Sequence, residues 1–167
     1  MRRILFLAFL GVAAALLLRV YVVEGIYIAS ASMEPTLSVG RHLFVNKLVY
    51  RFRPPRRGEM VVFSSPVEKK ELVKRVIGVA GDDIRIEAKQ VILNGSILVE
   101  PYGQHTRADE ELVGDDLDVG RVPPGHVFLL GDNRDESGDS RDWLDAQGED
   151  LFFIPLSLLK GKLVQLP

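Results

Sequence analysis

A polar stretch, Ser30-Ala31-Ser32-Met33-Glu34-Pro35-Thr36-Leu37, places two serine hydroxyls two residues apart ahead of a proline. Pro35 disfavours helical backbone at Glu34 and favours an extended or turn conformation there. The stretch has neither the alternation of a strand nor the spacing of an amphipathic helix. A short polar turn of this kind can hold a serine nucleophile, but it is equally typical of a linker. The segments on either side decide between the two interpretations.

An apolar segment precedes this stretch. Residues 4–23 carry Arg19 as their only charge, and about 20 apolar residues in a helix can span a bilayer. Two arginines ahead of the segment predict a cytoplasmic N-terminus, with the residues after Glu24 on the outer side of the membrane. We therefore predict that residues 1–25 form a membrane anchor with a single transmembrane helix.

A cleavable signal peptide is the alternative for this segment. Residues 4–18 would be its apolar region, and Ala29-Ser30-Ala31 offers an A-x-A cleavage pattern. The gap between these two features is long, however, and it contains two charged residues. Cleavage would also leave Ser32 as the new N-terminus, so a retained anchor is favoured.

The chain beyond Leu37 has the pattern of β-strands. Asn94-Gly95 lies between two apolar runs in residues 91–99, and this dipeptide favours the type I′ turn of a hairpin. Other short apolar runs lie at residues 42–50, 59–64, 72–80, 82–87, 126–130 and 152–154. Strands at short spacing, with no long amphipathic helix among them, predict an all-β, barrel-like or sandwich domain over residues 26–167. Residues 100–124 are rich in charge, glycine and proline, and predict a loop or small surface excursion.

Length and composition fit one modest domain with an anchor. The chain has 167 residues, 47% of them apolar, which is ordinary for a folded protein. A net charge of −2 gives no electrostatic argument for nucleic-acid binding. The chain has no cysteine, and this excludes disulfides, thiolate metal sites and a cysteine nucleophile.

Lys74 is the candidate for a general base. The three histidines, His42, His105 and His126, have no motif around them, so a serine nucleophile would need a lysine instead. Lys74 has apolar neighbours on both sides in a predicted strand. Burial there would lower its pKa from about 10.4 and make the neutral amine available. If Lys74 points to solvent from an amphipathic strand, it has no such role.

The acidic run after residue 131 does not fit a calcium loop. Asp135, Ser137 and Asp139 alternate as calcium ligands do, but an EF-hand loop beginning there needs Gly and Glu where the chain has Ser140 and Ala146. A charged loop of internal ion pairs and turn hydrogen bonds is the simpler interpretation. We predict no metal site and no cofactor.

Four segments resemble, in the same order, the sequence boxes of bacterial type I signal peptidases of the compact, single-anchor form. They are Ser32-Met33-Glu34-Pro35-Thr36-Leu37, Gly58-Glu59-Met60-Val61-Val62-Phe63, Lys74-Arg75-Val76-Ile77-Gly78 with Gly81-Asp82, and Gly131-Asp132-Asn133-Arg134-Asp135 with Ser137, Asp139, Ser140 and Arg141. The resemblance covers nearly the whole chain. It implies a mainly β catalytic domain of the signal-peptidase type, and a serine endopeptidase that removes signal peptides from exported preproteins after small residues in an A-x-A pattern.

The resemblance also implies roles for individual residues. Ser32 is the expected nucleophile and Lys74 the expected general base, oriented by Ser137. Ser30 is expected to complete an oxyanion hole with the backbone N–H of Ser32. The resemblance implies structural support of the site by Arg75, Asp132, Asp139 and Arg141, and packing beside the nucleophile by Met33.

The expected partners are preproteins that carry a signal peptide, and the lipid bilayer. The expected location is the bacterial cytoplasmic membrane, with the catalytic domain on its outer, extracytoplasmic side. Three alternatives remain. They are a specialised maturation peptidase with the same Ser/Lys pair, a non-catalytic anchored β-domain that binds partners through residues 100–124, and a self-cleaving repressor. The repressor is disfavoured because a DNA-binding domain should replace residues 4–23.

Overall fold

A computed structural model describes residues 1–164, without the side chains of residues 14 and 17–21. Residues 165–167, the end of the predicted β-rich domain, lie outside the described residues. The helices are α1 (Arg2–Tyr21) and α2 (Val49–Phe52), and short 3-10 turns occupy Ala31–Met33, Arg134–Glu136 and Leu156–Leu158. The strands are β1 (Val23–Tyr27), β2 (His42–Asn46), β3 (Met60–Ser64), β4 (Glu71–Val79), β5 (Asp83–Glu87), β6 (Gln90–Leu93), β7 (Ser96–Ile97), β8 (Leu117–Arg121), β9 (His126–Leu130), β10 (Phe153–Pro155) and β11 (Leu159–Val164).

The strands form two antiparallel sheets. The larger sheet has seven strands in the order β1-β2-β11-β3-β4-β9-β10, and the smaller has four in the order β7-β6-β5-β8. Strand β4 pairs with β3 from Glu71 to Arg75, but its pairing with β9 begins only at Arg75. Within the described residues, the first half of β4 therefore has one side without a neighbouring strand.

The predicted transmembrane helix is wrong. Among the described residues, no helix is long and apolar enough to cross a membrane. Helix α1 includes two arginines at its start, and Val23 already pairs with Asn46 in the sheet. With a third arginine at position 19, the uninterrupted apolar run is residues 4–18. Such a run gives about 22 Å of helix, less than the ~30 Å hydrocarbon core. The single-pass topology built on that helix therefore has no support.

The prediction of a mainly β fold for the rest of the chain is confirmed. The hairpin at Asn94-Gly95 is also confirmed, with φ of 52° and 79° at the two turn residues. Sequence analysis missed β8, which lies inside residues 100–124 and pairs with β5. Val119 is the one buried residue of β8, and a single buried position gives no alternation to detect. The division of the chain between residues 25 and 26 stays a prediction, and β1 runs across it.

An apolar cluster fixes the stretch around Ser32 to the large sheet. Met33 and Leu37 are 1% and 0% exposed, and they pack among side chains of β2, β3 and β11, including Val45, Val62 and Leu163. Full burial of one such side chain contributes about 1.5–3 kcal/mol. The stretch is therefore held by its own apolar residues, and its serines need not contribute to packing.

An ionic cluster at the start of β3 holds the α2 segment to β11. Glu59 accepts hydrogen bonds from the Arg53 guanidinium (Nη2 to Oε1, 2.5 Å), the Arg56 backbone N–H (3.1 Å to Oε2) and Lys162 Nζ (3.0 Å to Oε1). Burial alone would raise the pKa of Glu59, but these donors outweigh it and lower the pKa to about 2. Because the folded-state value lies below the ordinary 4.5, the cluster stabilises the fold above pH 4.5 and less so as the pH falls toward 2.

We predict that Glu59→Gln destabilises the protein at pH 7 and costs less at pH 3. The neutral amide keeps the shape of the side chain but loses the charge that the two cations face. Urea unfolding of both proteins at pH 7 and pH 3 measures the difference in free energy of unfolding. A difference that is the same at both pH values would contradict this account of the cluster.

Candidate active site

The 3-10 turn Ala31–Met33 presents Ser32 beside Ser30. Ser30 precedes the turn in extended conformation (φ −134°, ψ 159°), and Glu34 follows it in extended conformation (φ −68°, ψ 148°), as a residue before proline should. The hydroxyl oxygens of Ser30 and Ser32 lie 3.3 Å apart, within hydrogen-bond distance. Ser32 is partly exposed, whereas Met33 next to it is buried. The turn therefore leaves the serine hydroxyl accessible on an anchored backbone.

Lys74 is buried in β4 and hydrogen-bonded to Ser137. Lys74 is 2% exposed, and its Nζ lies 2.7 Å from Ser137 Oγ. Ser137 Oγ in turn donates to Asp139 Oδ2 over 2.8 Å. A serine hydroxyl has a single proton, so Ser137 must accept from Lys74 if it donates to Asp139. Lys74 thus uses an N–H toward Ser137, and the lone pair of its neutral amine is left for another group.

Burial lowers the pKa of Lys74 below its ordinary value. The negative charge of Asp139 opposes this shift, Arg141 supports it, and Asp142 opposes it more weakly. The desolvation of the ammonium is the largest of these effects. The site therefore favours the neutral amine more than water does.

Asp139 stays ionised although it is completely buried. Burial alone would raise its pKa, but the charge and hydrogen bonds of Arg141, the charge of Lys74 and the Gly131 N–H lower the pKa overall. Arg141 Nε lies 2.9 Å from Asp139 Oδ1, and the Gly131 N–H donates to Oδ2 over 3.0 Å. A fixed carboxylate thus sets the direction of the Ser137 hydroxyl.

The loop after β9 brings the Ser32 turn to the Lys74 site. The Asn133 backbone N–H donates to the Ser32 carbonyl (3.1 Å), and Asn133 Nδ2 donates to the Ala31 carbonyl (3.3 Å). Gly131 lies between Ser137 and the backbone of Ser32. A Cβ at Gly131 would overlap Ser137 Oγ and come within 2.5 Å of the Ser32 carbonyl oxygen. Gly131 thus lies against both the Ser32 backbone and Ser137, the partner of Lys74, and it leaves no room for a side chain.

A buried ion pair ties the same loop to β4 from the other side. Arg75 Nε lies 2.8 Å from Asp132 Oδ1, and Thr36 Oγ1 donates to Asp132 Oδ2 over 2.5 Å. The Arg75 guanidinium also lies 3.9 Å from the centre of the Tyr102 ring, a cation–π contact. Arg75 and Asp132 thus connect the Ser32 stretch, β4 and the last loop.

Sequence analysis did not single out four of these contributors. Thr36, Gly131 and Asn133 lie inside the segments that resemble signal-peptidase boxes, and that position was the only indication of a role at the site. Tyr102 lies in the polar segment 100–124, and nothing in its neighbourhood indicates a partner in β4.

A cleft of 250 Å³ opens beside the two serines. Its walls are the Ser32 turn on one side and the half of β4 without a β9 neighbour on the other. The lining residues are Tyr27, Ile28, Ala29, Ser30, Ser32, Met33 and residues 70–73. The cleft thus places an unpaired strand edge alongside a serine hydroxyl.

The described residues contain no group of three or more His, Asp or Glu side chains arranged to hold a metal ion. The absence of a metal and of a cofactor stays a prediction.

The chain is similar to known peptidases over nearly its whole length. A family model described as signal peptidase, peptidase S26, matches residues 1–165. Signal peptidase I P of Bacillus subtilis subsp. natto is 35% identical over 162 residues, which cover 90% of this chain and 87% of that protein. Probable signal peptidase I-2 of Synechocystis sp. is 38% identical over 158 residues, which cover 91% of this chain and 66% of that protein.

A solved structure agrees with these matches. The crystal structure of a signal peptidase I from Enterococcus faecalis V583 is 27% identical, with a TM-score of 0.50, and the match covers 66% of this chain and 97% of that one. These similarities define the chain as a peptidase. It belongs to the signal peptidase family, peptidase S26, and the resemblance inferred from the four sequence segments is confirmed.

We predict that Gly131→Ala lowers peptidase activity by about 10²-fold or more. The new methyl group must displace Ser137 or the Ser32 carbonyl. A displacement of about 1 Å in a catalytic group has an effect of this size. Gly138→Ala in the same loop is the matched control, since a Cβ at Gly138 meets nothing within 4 Å. Initial rates of substrate cleavage, with circular dichroism to show that both variants fold, make the comparison. Equal activity of the two variants would contradict the proposed crowding at Gly131.

Proposed function

We propose that this chain is a serine endopeptidase that cleaves signal peptides from preproteins, with Ser32 as nucleophile and Lys74 as general base. The observation that carries the proposal is the buried Lys74 amine, bonded to Ser137, whose hydroxyl lies with the Ser32 carbonyl around Gly131. Residues 26–167 are the proposed peptidase domain. The lipid bilayer as a partner is a prediction that neither the fold nor the comparisons test.

In the proposed acylation step, Ser32 Oγ attacks the carbonyl carbon of the scissile bond while its proton moves to the neutral Lys74 amine. The negative charge that develops on the carbonyl oxygen is stabilised by the Ser30 hydroxyl and the Ser32 backbone N–H. Removal of one such donor costs about 10²–10³ in turnover. The 3.3 Å separation of the two serine hydroxyls supports this pairing of roles.

The carbon–nitrogen bond then breaks, and the Lys74 ammonium returns its proton to the leaving amine nitrogen. The acyl group remains on Ser32 as an ester. Lys74, neutral again, takes a proton from a water molecule that attacks the ester, and the proton passes to Ser32 Oγ as the acid is released. Each proton that the lysine accepts is thus given back, so one amine serves both half-reactions.

Asp139 has an electrostatic part in this cycle. Its negative charge raises the pKa of Lys74, in opposition to burial, and so stabilises the transient ammonium. Arg141 bonds to the same carboxylate and moderates that effect. Burial and Arg141 thus favour the neutral amine, and Asp139 favours the ammonium that forms during the step.

The cleft beside Ser32 supports a small-residue specificity. An extended peptide can add to the edge of β4 between Glu71 and Val73, as substrates do at open sheet edges. A volume of 250 Å³, shared between subsites, favours small side chains. We therefore propose cleavage after residues of the A-x-A type, with the residues before the scissile bond in this cleft.

We predict that Ser32→Ala and Lys74→Ala each reduce cleavage of an A-x-A preprotein by about 10⁴-fold or more, since both members of such a pair are needed. Ser137→Ala should cost about 10²-fold, because Lys74 remains but loses its orientation. Ser38→Ala and Lys160→Ala, both exposed and outside the site, are matched controls with wild-type rates. Gel analysis of the processed product at several enzyme concentrations measures all five variants.

Two results would contradict the proposal in different ways. Cleavage that survives Lys74→Ala would exclude the Ser/Lys mechanism. Folded wild-type protein that cleaves no preprotein would favour a specialised maturation peptidase or a binding module.

A further inference from the structure

A second cavity adjoins Ser137, the hydrogen-bond partner of Lys74. It has a volume of 220 Å³, and its lining includes Ser137, Leu112, Val113 and Asp142. It shares no lining residue with the cleft beside Ser32. Val73 lines the first cleft, Lys74 follows it in β4, and Ser137 lines the second cavity. Lys74 is therefore next to one lining residue of each space, Val73 along the strand and Ser137 through its hydrogen bond.

Most charges around the second cavity are already paired within the protein. Arg134 donates to both carboxylate oxygens of Glu100 (2.8 and 2.6 Å), and Arg141 is bonded to Asp139. Asp135 accepts a hydrogen bond from the Arg107 backbone N–H over 2.7 Å. These groups form the frame of the cavity and leave little charge for a ligand.

An apolar wall, the Asp142 carboxylate and the Arg107 guanidinium remain. Arg107 donates to the Asp135 carbonyl, and among the described residues its Nε has no hydrogen-bond partner. Val113 is 87% exposed, and Leu112 beside it is half-buried. Together they give the cavity an apolar wall. Asp142 is exposed, and its carboxylate accepts one hydrogen bond from the Asp139 backbone N–H over 3.0 Å. The carboxylate keeps lone pairs free for a donor on a bound molecule.

We propose that this cavity binds the residue that directly follows the scissile bond, with its side chain against Leu112 and Val113 and its nitrogen near Asp142. The inference rests on the proposed function. A substrate with its acyl side in the cleft beside Ser32 has its leaving group at the base, and Ser137, which is bonded to that base, lines this cavity. The volume gives room for one side chain.

Asp142 then acts on the leaving group. When the scissile bond breaks, the amine nitrogen takes the proton from the Lys74 ammonium, and at neutral pH it takes a second proton from water. The resulting α-ammonium is a cation with N–H donors, and a carboxylate is its natural partner. The cavity would thus hold the new N-terminus of the product until it leaves.

The first experiment compares two preproteins that differ only in the residue after the scissile bond, Leu or Ser. Wild type should cleave the Leu substrate with the higher kcat/KM, and Val113→Ser should reduce the Leu-to-Ser ratio by about tenfold. Val99→Ser is the matched control, since Val99 is 83% exposed and lies outside the cavity lining. Because the readout is a ratio of two substrates, a general loss of activity cancels.

The second experiment tests Asp142 with product peptides. A peptide that begins at the residue after the cleavage site, with a free α-ammonium, should inhibit wild type about fivefold more strongly than its N-acetylated form. Asp142→Asn keeps an acceptor for the Asp139 N–H and should remove that difference. Its Leu-to-Ser ratio should remain that of wild type.

The outcomes separate this inference from the proposed function. If wild type cleaves both substrates but Val113→Ser leaves the ratio unchanged, or changes the preference before the scissile bond instead, the cavity does not bind that residue. If the acetylated and free peptides inhibit equally, Asp142 does not face the leaving amine. If wild type cleaves neither preprotein, the proposed function fails and this inference fails with it.

Discussion

The hydrogen bond between Lys74 Nζ and Ser137 Oγ is the interaction on which the rest of the site depends. It is 2.7 Å long and buried, and Asp139 fixes its direction by accepting the single proton of Ser137. A lysine in water is almost entirely protonated at neutral pH, whereas a buried lysine loses part of the hydration that stabilises its charge. Without Ser137, the Lys74 amine would stay buried but would lose the hydrogen bond that orients it. If the amine were exposed to water, it would keep that hydrogen bond but would be protonated.

The surrounding structure can be understood as what holds this bond beside Ser32. Asn133 binds the backbone of the Ser32 turn from one side, and the Arg75–Asp132 pair with Thr36 binds the same stretch from the other. The Asn133 and Thr36 contacts join residues about a hundred positions apart along the chain, and Arg75 and Asp132 are 57 positions apart. The buried ion pair is costly to form from two hydrated ions, and we interpret it as positioning rather than as a source of net stability.

Part of this arrangement can be predicted from the sequence, because it is encoded locally. Lys74 among apolar neighbours in a strand indicates burial, and Asn94-Gly95 specifies its turn. Long-range contacts have no such signal: the glycine contact at Gly131 and the stacking of Arg75 on Tyr102 are visible only in the fold. Strand β8 was missed because it has one buried position. The transmembrane helix was wrong because Arg19 limits the uninterrupted apolar run to residues 4–18, and Val23 already belongs to β1.

The protonation state of Lys74 tests the account most directly. Protein labelled with ¹³C and ¹⁵N at lysine would be titrated by NMR, with Lys74→Arg used to assign the side-chain signal. We expect this signal to titrate at lower pH than that of an ordinary lysine, whose pKa is about 10.4, since burial is the largest effect on it. A Lys74 signal that titrates at the ordinary value in folded protein would contradict the account, because the amine would then enter the reaction as a cation.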